Sequence, residues 1–268
     1  MNWTRTRVAL YAALLTCGLA ACGPPVARGG RLHAQTDYDP WQPLNGKVFW
    51  FNDQVDIYVL EPVAKGWDRI APNRVQRSLS DFFANLRSPI AIVNDVLQGK
   101  LKNGASDLAR FTVNTTVGVA GFLDYATPLG LGQHVEDFGQ TLGWWGVPPG
   151  PYLVLPLLGP SNPRDTGGLV GDAAVSITSW FVPWYALIPP RICDTVNTRA
   201  LLLRQVDEAK QASFDYYVFV RNAYLQRRHA LVNDQTAGSN LDQQPLYHPE
   251  GADDDLYHPE IDEPSTSQ

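Results

Sequence analysis

The sequence predicts a mainly α-helical protein, built as one domain and interrupted by apolar segments rich in proline and glycine. Three observations lead there. Apolar residues recur at helical spacing in several windows, for example Val75, Leu79, Phe82, Phe83 and Leu86. No window gives a convincing strand pair or hairpin signal. The run from Asp137 to Asp165 holds 26 consecutive uncharged residues, with five glycines and six prolines among them. An interior proline costs a helix about 3 kcal/mol, so this run is long enough to cross a bilayer yet cannot cross it as a helix. It is expected to be buried in protein, to line a cavity or to lie at a membrane surface, where the rings of Trp144, Trp145 and Tyr152 are at home.

In chain order, Arg5 and Arg7 precede a short apolar stretch, Val8 to Leu15, and the residues Leu19, Ala20, Ala21 and Cys22 follow. That order reads as a signal peptide over 1–21. A small-residue site ending in cysteine resembles the lipobox of bacterial lipoproteins, which makes Cys22 the lipidated residue. Gly23 and Pro24, with no Asp after the Cys, favour the outer membrane. Residues 22–38 read as a linker and 39–236 as the domain. The remaining cysteine, Cys193, then has no disulfide partner and reads as a small apolar residue.

Within the domain, Lys47 to Leu60 is predicted helical and ended by Pro62. Asn73 is predicted to cap an amphipathic helix, Ser88 and Pro89 to start a separate short one, and Gly99 to stop it. A further helix is expected from about Asn103 to Thr116, before Gly118, Gly121, Pro128, Gly130 and Gly132 break the chain. Gly167 to Phe181 is expected to be helical. Ala173 to Pro190 is a second uncharged, aromatic, proline-broken segment of 18 residues. Asp194 to Val232 reads as one or two helices, with Arg221, Arg227 and Arg228 favourable near the C-terminal end. Residues 237–268 form an acidic tail, predicted disordered, in which Leu246 to Glu250 recurs as Leu256 to Glu260.

Charge excludes some functions. Over 22–236, 19 Lys and Arg face 19 Asp and Glu, so the body is formally neutral and has no basic surplus for nucleic acid. Enzyme signatures are missing: there is no nucleophile elbow, no zinc helix, no phosphate loop and no dinucleotide fingerprint. His134 beside Glu136 and Asp137 is a poor acid–base pair, and His248 and His258 on the tail are a poor metal site. No catalytic residue, metal or cofactor is expected. Asp137, Gln140, Thr141, Arg164 and Asp165 bracket the uncharged run. They either close its ends by salt bridges or form the polar mouth of an apolar cavity, which is the combination a lipid needs.

Many motifs then fall in order: Asp39 and Pro40 with Asn45; Phe49 to Asn52; Asp81 to Leu86; Asn94 to Gly99; Arg110 to Asn114; Gly118 to Asp124; Phe138 to Gly143; Trp145 to Val147; Gly150 to Tyr152; Leu155 and Pro156; Arg164 and Asp165; Thr198 to Ala200; Arg221 to Arg228. On these the chain resembles the MlaA/VacJ family of outer-membrane lipoproteins. Gly46 stands where that family usually has Arg, and the tail has no counterpart in it. The resemblance implies a ring-shaped, membrane-embedded helical body around a channel, seated beside an outer-membrane porin trimer. It implies that misplaced phospholipid passes through that body to a soluble periplasmic lipid carrier of the Mla pathway, without covalent chemistry. Channel or rim candidates are then Asp137, Phe138, Gln140, Thr141, Trp145, Pro151, Tyr152, Leu155, Arg164 and Asp165. Two other readings stay open: a lipoprotein that only scaffolds porins, and a lipid hydrolase.

Overall fold

The computed structural model describes residues 39–234; the signal peptide, linker and tail assignments lie outside the described residues. The chain is mainly helical, in the order α1 (Gln42–Val55), a π turn (Asp56–Leu60), α2 (Glu61–Ile70), α3 (Asn73–Leu97), α4 (Leu101–Thr116) and a 3-10 turn (Thr127–Leu129). Then follow α5 (Phe138–Trp144), β1 (Leu153–Leu155), β2 (Gly159–Ser161), α6 (Pro163–Val175), α7 (Ile177–Phe181), a 3-10 turn (Trp184–Leu187), α8 (Ile188–Leu201), α9 (Leu203–Ala212) and α10 (Tyr216–Val232). The α3–α4 hairpin, the α5–α6 crossing and the α2–α8 pair carry the main packing, and α10 lies across α5 and β2. No helix among the described residues is long and apolar enough to cross a membrane.

Several expected boundaries move, each for a local reason. Pro62 does not end the first helix. A π turn comes immediately before it, with the Glu61 N–H bonded to the Asp56 carbonyl, and this change of register absorbs a residue that cannot donate. Nor do Ser88 and Pro89 start a new helix: α3 runs unbroken past Pro89, and the Ser88 hydroxyl donates back to the Ala84 carbonyl instead of capping. The N-cap of α3 is Pro72, not Asn73. The stop at Gly99 holds. Its φ of 75° lets Gly99 N–H reach the Val96 carbonyl and Lys100 N–H reach the Asp95 carbonyl, the two bonds of a Schellman close. The segment expected from Gly167 begins at Pro163, and the one expected from Asp194 begins at Ile188, with Pro189 and Pro190 in its first turn, where proline is tolerated; it resolves into three helices.

The hairpin β1–β2 is the element that sequence reasoning missed. Its strands are three residues long, antiparallel, with Leu153 opposite Ser161 and Leu155 opposite Gly159. What steadies so short a pair lies far away in sequence. The Asn45 amide donates to the Tyr152 carbonyl and accepts from the Val154 N–H, both at 3.0 Å. Seven residues on, on the same face of α1, the Asn52 amide donates to the Leu155 carbonyl at 2.9 Å and accepts from the Leu157 N–H at 2.8 Å. Two side chains thus stand in for a neighbouring strand along the free edge of β1.

The distribution of polarity is inverted. The largest fully buried side chains are all polar, Gln76, Gln140, Asn45, Asn94, Asn162, Asn197, Thr141 and Asp95, and among the described residues 35 large apolar side chains are exposed, Trp50, Tyr58, Val59, Ile70 and Phe181 among them. Exposed apolar faces of this extent mark surfaces that meet another protein or a membrane.

Candidate functional site

Three elements meet at the ends of the uncharged run. Asp137 caps α5, its carboxylate accepting the Gln140 N–H at 2.8 Å, and Asn162 caps α6, accepting the Asp165 N–H at 2.8 Å. Glycine lets the two helices touch: a Cβ at Gly168 would stand 2.5 Å from the Gly139 nitrogen. From α10, Arg228 reaches into the gap. Its guanidinium grips Asp137 at 2.6 and 3.1 Å and meets Asp165 at 2.8 and 2.7 Å. Tyr224, one turn earlier on the same face, donates to Asp165 at 2.6 Å, Asn162 donates to Asp165 at 2.7 Å, and Arg164 lies 2.9 Å from it.

Electrostatics follow from these contacts. Burial opposes ionisation of Asp137, but the Arg228 guanidinium and the Gln140 N–H hold its carboxyl below the ordinary range. At Asp165 burial also opposes, and Arg228, Tyr224 and Arg164 win, again holding the carboxyl low. The Tyr224 hydroxyl is pushed well up by burial and by its bond to Asp165, so it stays a donor.

Above this floor opens a cavity of about 210 Å³. It is lined by the polar residues Asp137, Ser161, Asp165, Asp172, Tyr224 and Arg228 and by the apolar residues Leu155, Leu158, Pro160 and Leu169. Of the sequence-predicted residues, Asp137, Leu155 and Asp165 line it. Arg164, Gln140 and Thr141 are buried in the polar shell beside it; Gln140 donates to the Val135 carbonyl at 2.9 Å and Thr141 to Asn94 at 2.7 Å. Tyr152 is 3% exposed and packs against the Tyr217 and Tyr224 rings. Phe138 stands edge-on to Trp145, whose indole donates to the Leu97 carbonyl at 3.2 Å, and Pro151 enters the hairpin; none of these three lines the cavity. Salt bridges thus close the ends of the run, and of the five bracketing residues Asp137 and Asp165 also line the cavity.

A second polar cluster lies behind α5. Gln98 donates to Glu136 at 2.8 Å and to Thr141 at 3.1 Å, Lys100 pairs with Glu136 at 2.8 Å and also meets Asp234, and His134 pairs with Asp107 at 3.0 Å, not with Glu136 or Asp137. Asp95 is 0% exposed and neither of its oxygens finds a hydrogen bond; burial, then Asp107 and Glu136, push its carboxyl up to about 7. Among the described residues no group of three or more His, Cys, Asp and Glu side chains has a geometry that could hold a metal ion.

Sequence reasoning missed Arg228, Tyr224, Asp172 and Asn162 as parts of one site. The sequence marks Arg228 only as favourable to the helix dipole. The available signal was the Tyr224–Arg228 spacing of four, which puts a donor and a cation on one face.

Comparison with known proteins adds the following. A family model described as MlaA lipoprotein matches residues 37–231. The "Intermembrane phospholipid transport system lipoprotein MlaA" of Escherichia coli K12 is 35% identical over 222 residues, 81% of this chain and 86% of that protein. The protein of the same description in Haemophilus influenzae is 33% identical over 237 residues, 86% of this chain and 92% of its own length. A solved chain, from work on the "structural basis for maintenance of bacterial outer membrane lipid asymmetry", superposes with a TM-score of 0.67 at 34% identity, covering 73% of this chain and all of that one.

Proposed function

The chain belongs to the MlaA lipoprotein family, and from that premise we propose that it is an outer-membrane lipoprotein that removes mislocalised phospholipids from the outer leaflet and passes them to a periplasmic carrier. In this reading the helical body is ring-shaped and embedded in the membrane, anchored through acylated Cys22 on the periplasmic face. It stands beside a porin trimer and hands lipid to a soluble carrier of the Mla pathway. The chemistry is transfer, not catalysis.

The observation that carries the reading is the inverted polarity. Exposing an apolar side chain to water costs about 1.5–3 kcal/mol relative to burial, so apolar faces of this extent favour contact with acyl chains. A polar interior supplies what a head group needs on its way through. The cavity over Asp137, Asp165 and Arg228 has apolar and polar walls, the combination that suits an amphiphile, and Gln140, Thr141, Tyr152 and Arg164 brace it. Phe138, Trp145 and Pro151 stand outside this cavity, and in this reading they belong to the rim of the channel. Moving a tail through water would expose it at about 0.8 kcal/mol per CH₂; an apolar-walled passage lowers that barrier, and direction must come from the partners.

The test is mass spectrometry of the acylated protein purified in mild detergent, combined with outer-leaflet lipid analysis of a deletion strain. Co-purifying phospholipid and surface-exposed phospholipid in the deletion strain are expected. Normal asymmetry in that strain, with no lipid on the protein, overturns the proposal.

A further inference from the structure

The cavity holds one carboxylate that forms no ion pair among the described residues. Asp137 and Asp165 both meet Arg228, and Asp165 also meets Arg164. Asp172 lines the same cavity, yet no cation stands at ion-pair distance from it among the described residues. Its Oδ1 accepts the Phe138 N–H at 2.9 Å and the Asn94 amide at 3.3 Å, while Oδ2 takes no hydrogen bond there. Arg228 cannot turn to an incoming phosphate without releasing a carboxylate, because both Nη atoms hydrogen-bond Asp137 or Asp165 and Nε lies 2.7 Å from Asp165, at ion-pair distance without a hydrogen bond. The cavity therefore offers an acceptor and a net negative charge, with Leu155 and Leu158 also lining it and Leu169 one turn before Asp172 on α6.

We propose that this cavity is a head-group subsite selecting phospholipids that carry a primary ammonium, with Asp172 Oδ2 accepting from the ammonium and the leucines meeting the start of the acyl chains. This rests on the lipid-transfer reading above. An N–H donor on a cation makes a stronger bond to a carboxylate than a neutral donor does. A quaternary ammonium has no N–H to give, and an anionic head meets Asp172 with repulsion. A bare inorganic cation gains nothing from the apolar wall.

Protonation supplies an independent handle. Burial pushes the Asp172 carboxyl up to about 6, with the Phe138 N–H working against that rise and Asp137 adding to it. The groups that face it are Asp137 from the start of α5, Arg228 from α10 and the neutral Asn94 from α3. Ammonium recognition requires the ionised form, so it is present at pH 7.5 and is lost as pH falls through about 6.

The experiment offers the full acylated lipoprotein vesicles of phosphatidylethanolamine, phosphatidylcholine or phosphatidylglycerol and counts bound lipid by native mass spectrometry. Wild type is expected to take phosphatidylethanolamine over phosphatidylglycerol by about tenfold at pH 7.5, and to lose most of that preference at pH 5. Asp172→Asn is expected to bring the ratio to within about twofold at both pH values, and Asp172→Glu to keep much of it. Should Asp172→Asn fail to fold, the wild-type pH series decides alone. Equal uptake of the three lipids by wild type overturns the subsite and leaves lipid transfer standing. Uptake of none of them overturns the transfer reading itself.

Discussion

Arg228 is the side chain on which the site depends most. It bridges two carboxylates borne by α5 and α6, and its removal would leave both without their shared cation. Loss of one partner from a buried ion pair typically costs 3–5 kcal/mol. Arg228→Ala is therefore expected to lower stability by about that amount, read as a falling denaturation midpoint in detergent, and Arg228→Lys by less. An unchanged midpoint for the alanine variant would count against the bridge. Asp137 and Asp165 were legible in the sequence because they bracket an uncharged run. Arg228 was not, since it lies 91 residues from Asp137 and its spacing of four from Tyr224 marks a polar face without naming the distant carboxylate. Asp95 makes the opposite electrostatic case. Its folded carboxyl is raised to about 7 from an ordinary value near 3.8, so the folded state holds the proton more tightly than the unfolded chain. Its contribution to stability therefore falls as pH rises from about 4 to about 7 and stays unfavourable above that. Asp95→Asn is expected to be more stable than wild type at pH 8, by roughly 1–3 kcal/mol, with the advantage gone at pH 4. Melting curves at the two pH values check it, and an advantage that does not depend on pH would refute it.

At the scale of elements, the α5–α6 contact depends on glycine. A Cβ at Gly168 would sit 2.5 Å from the Gly139 nitrogen and 2.7 Å from its Cα, backbone atoms that cannot swing aside. Gly168→Ala is expected to force the helices apart and cost about 1–3 kcal/mol, together with a weaker grip of Arg228 on Asp165. Gly46 behaves in the other direction. Nothing stands within 4 Å of a Cβ there, and it lies inside α1, so Gly46→Arg is expected to gain roughly 0.5–1 kcal/mol from helix propensity alone. The two substitutions, measured by the same unfolding assay, should move the midpoint in opposite senses. Helices at this scale were readable where an apolar stripe repeats, as in α3 and α4, and where Gly99 supplies a left-handed residue. The π turn before Pro62 and the passage of α3 through Pro89 were not readable, because local propensity forbids what tertiary packing permits. The hairpin was hidden for a related reason. Three-residue strands carry no alternation to detect, and their hydrogen-bonding neighbours are Asn45 and Asn52, about a hundred residues away.

For the whole molecule, the inverted polarity sets the last prediction. Sequence periodicity located the helix faces but could not say which face turned outward; a stripe of valine, tryptophan and isoleucine reads the same whether it meets a core or a bilayer. The structure turns Trp50, Tyr58, Val59 and Ile70 outward on α1, the π turn and α2, while asparagine, glutamine and arginine are buried in the interior beside Phe83, Tyr152, Val154 and Leu231. If that exterior meets acyl chains, as proposed, a charge placed on it is penalised in the membrane and harmless in water. Val59→Asp and Ile70→Asp are therefore expected to weaken partition of the unacylated Cys22→Ser protein into anionic-lipid-free vesicles by about tenfold or more each, since an aspartate at acyl-chain depth costs on the order of 3 kcal/mol. The same substitutions in a water-facing position would change partition little and raise solubility. The discriminating measurement is the depth of Trp50 read by quenching with lipids brominated along the chain. Strong quenching in the Cys22→Ser protein, reduced by either aspartate, is the expected result. Trp50 that stays unquenched while the protein is vesicle-bound would mean that the outward apolar faces meet another protein, with the bilayer touched elsewhere, and the ring-in-the-leaflet geometry would have to be given up.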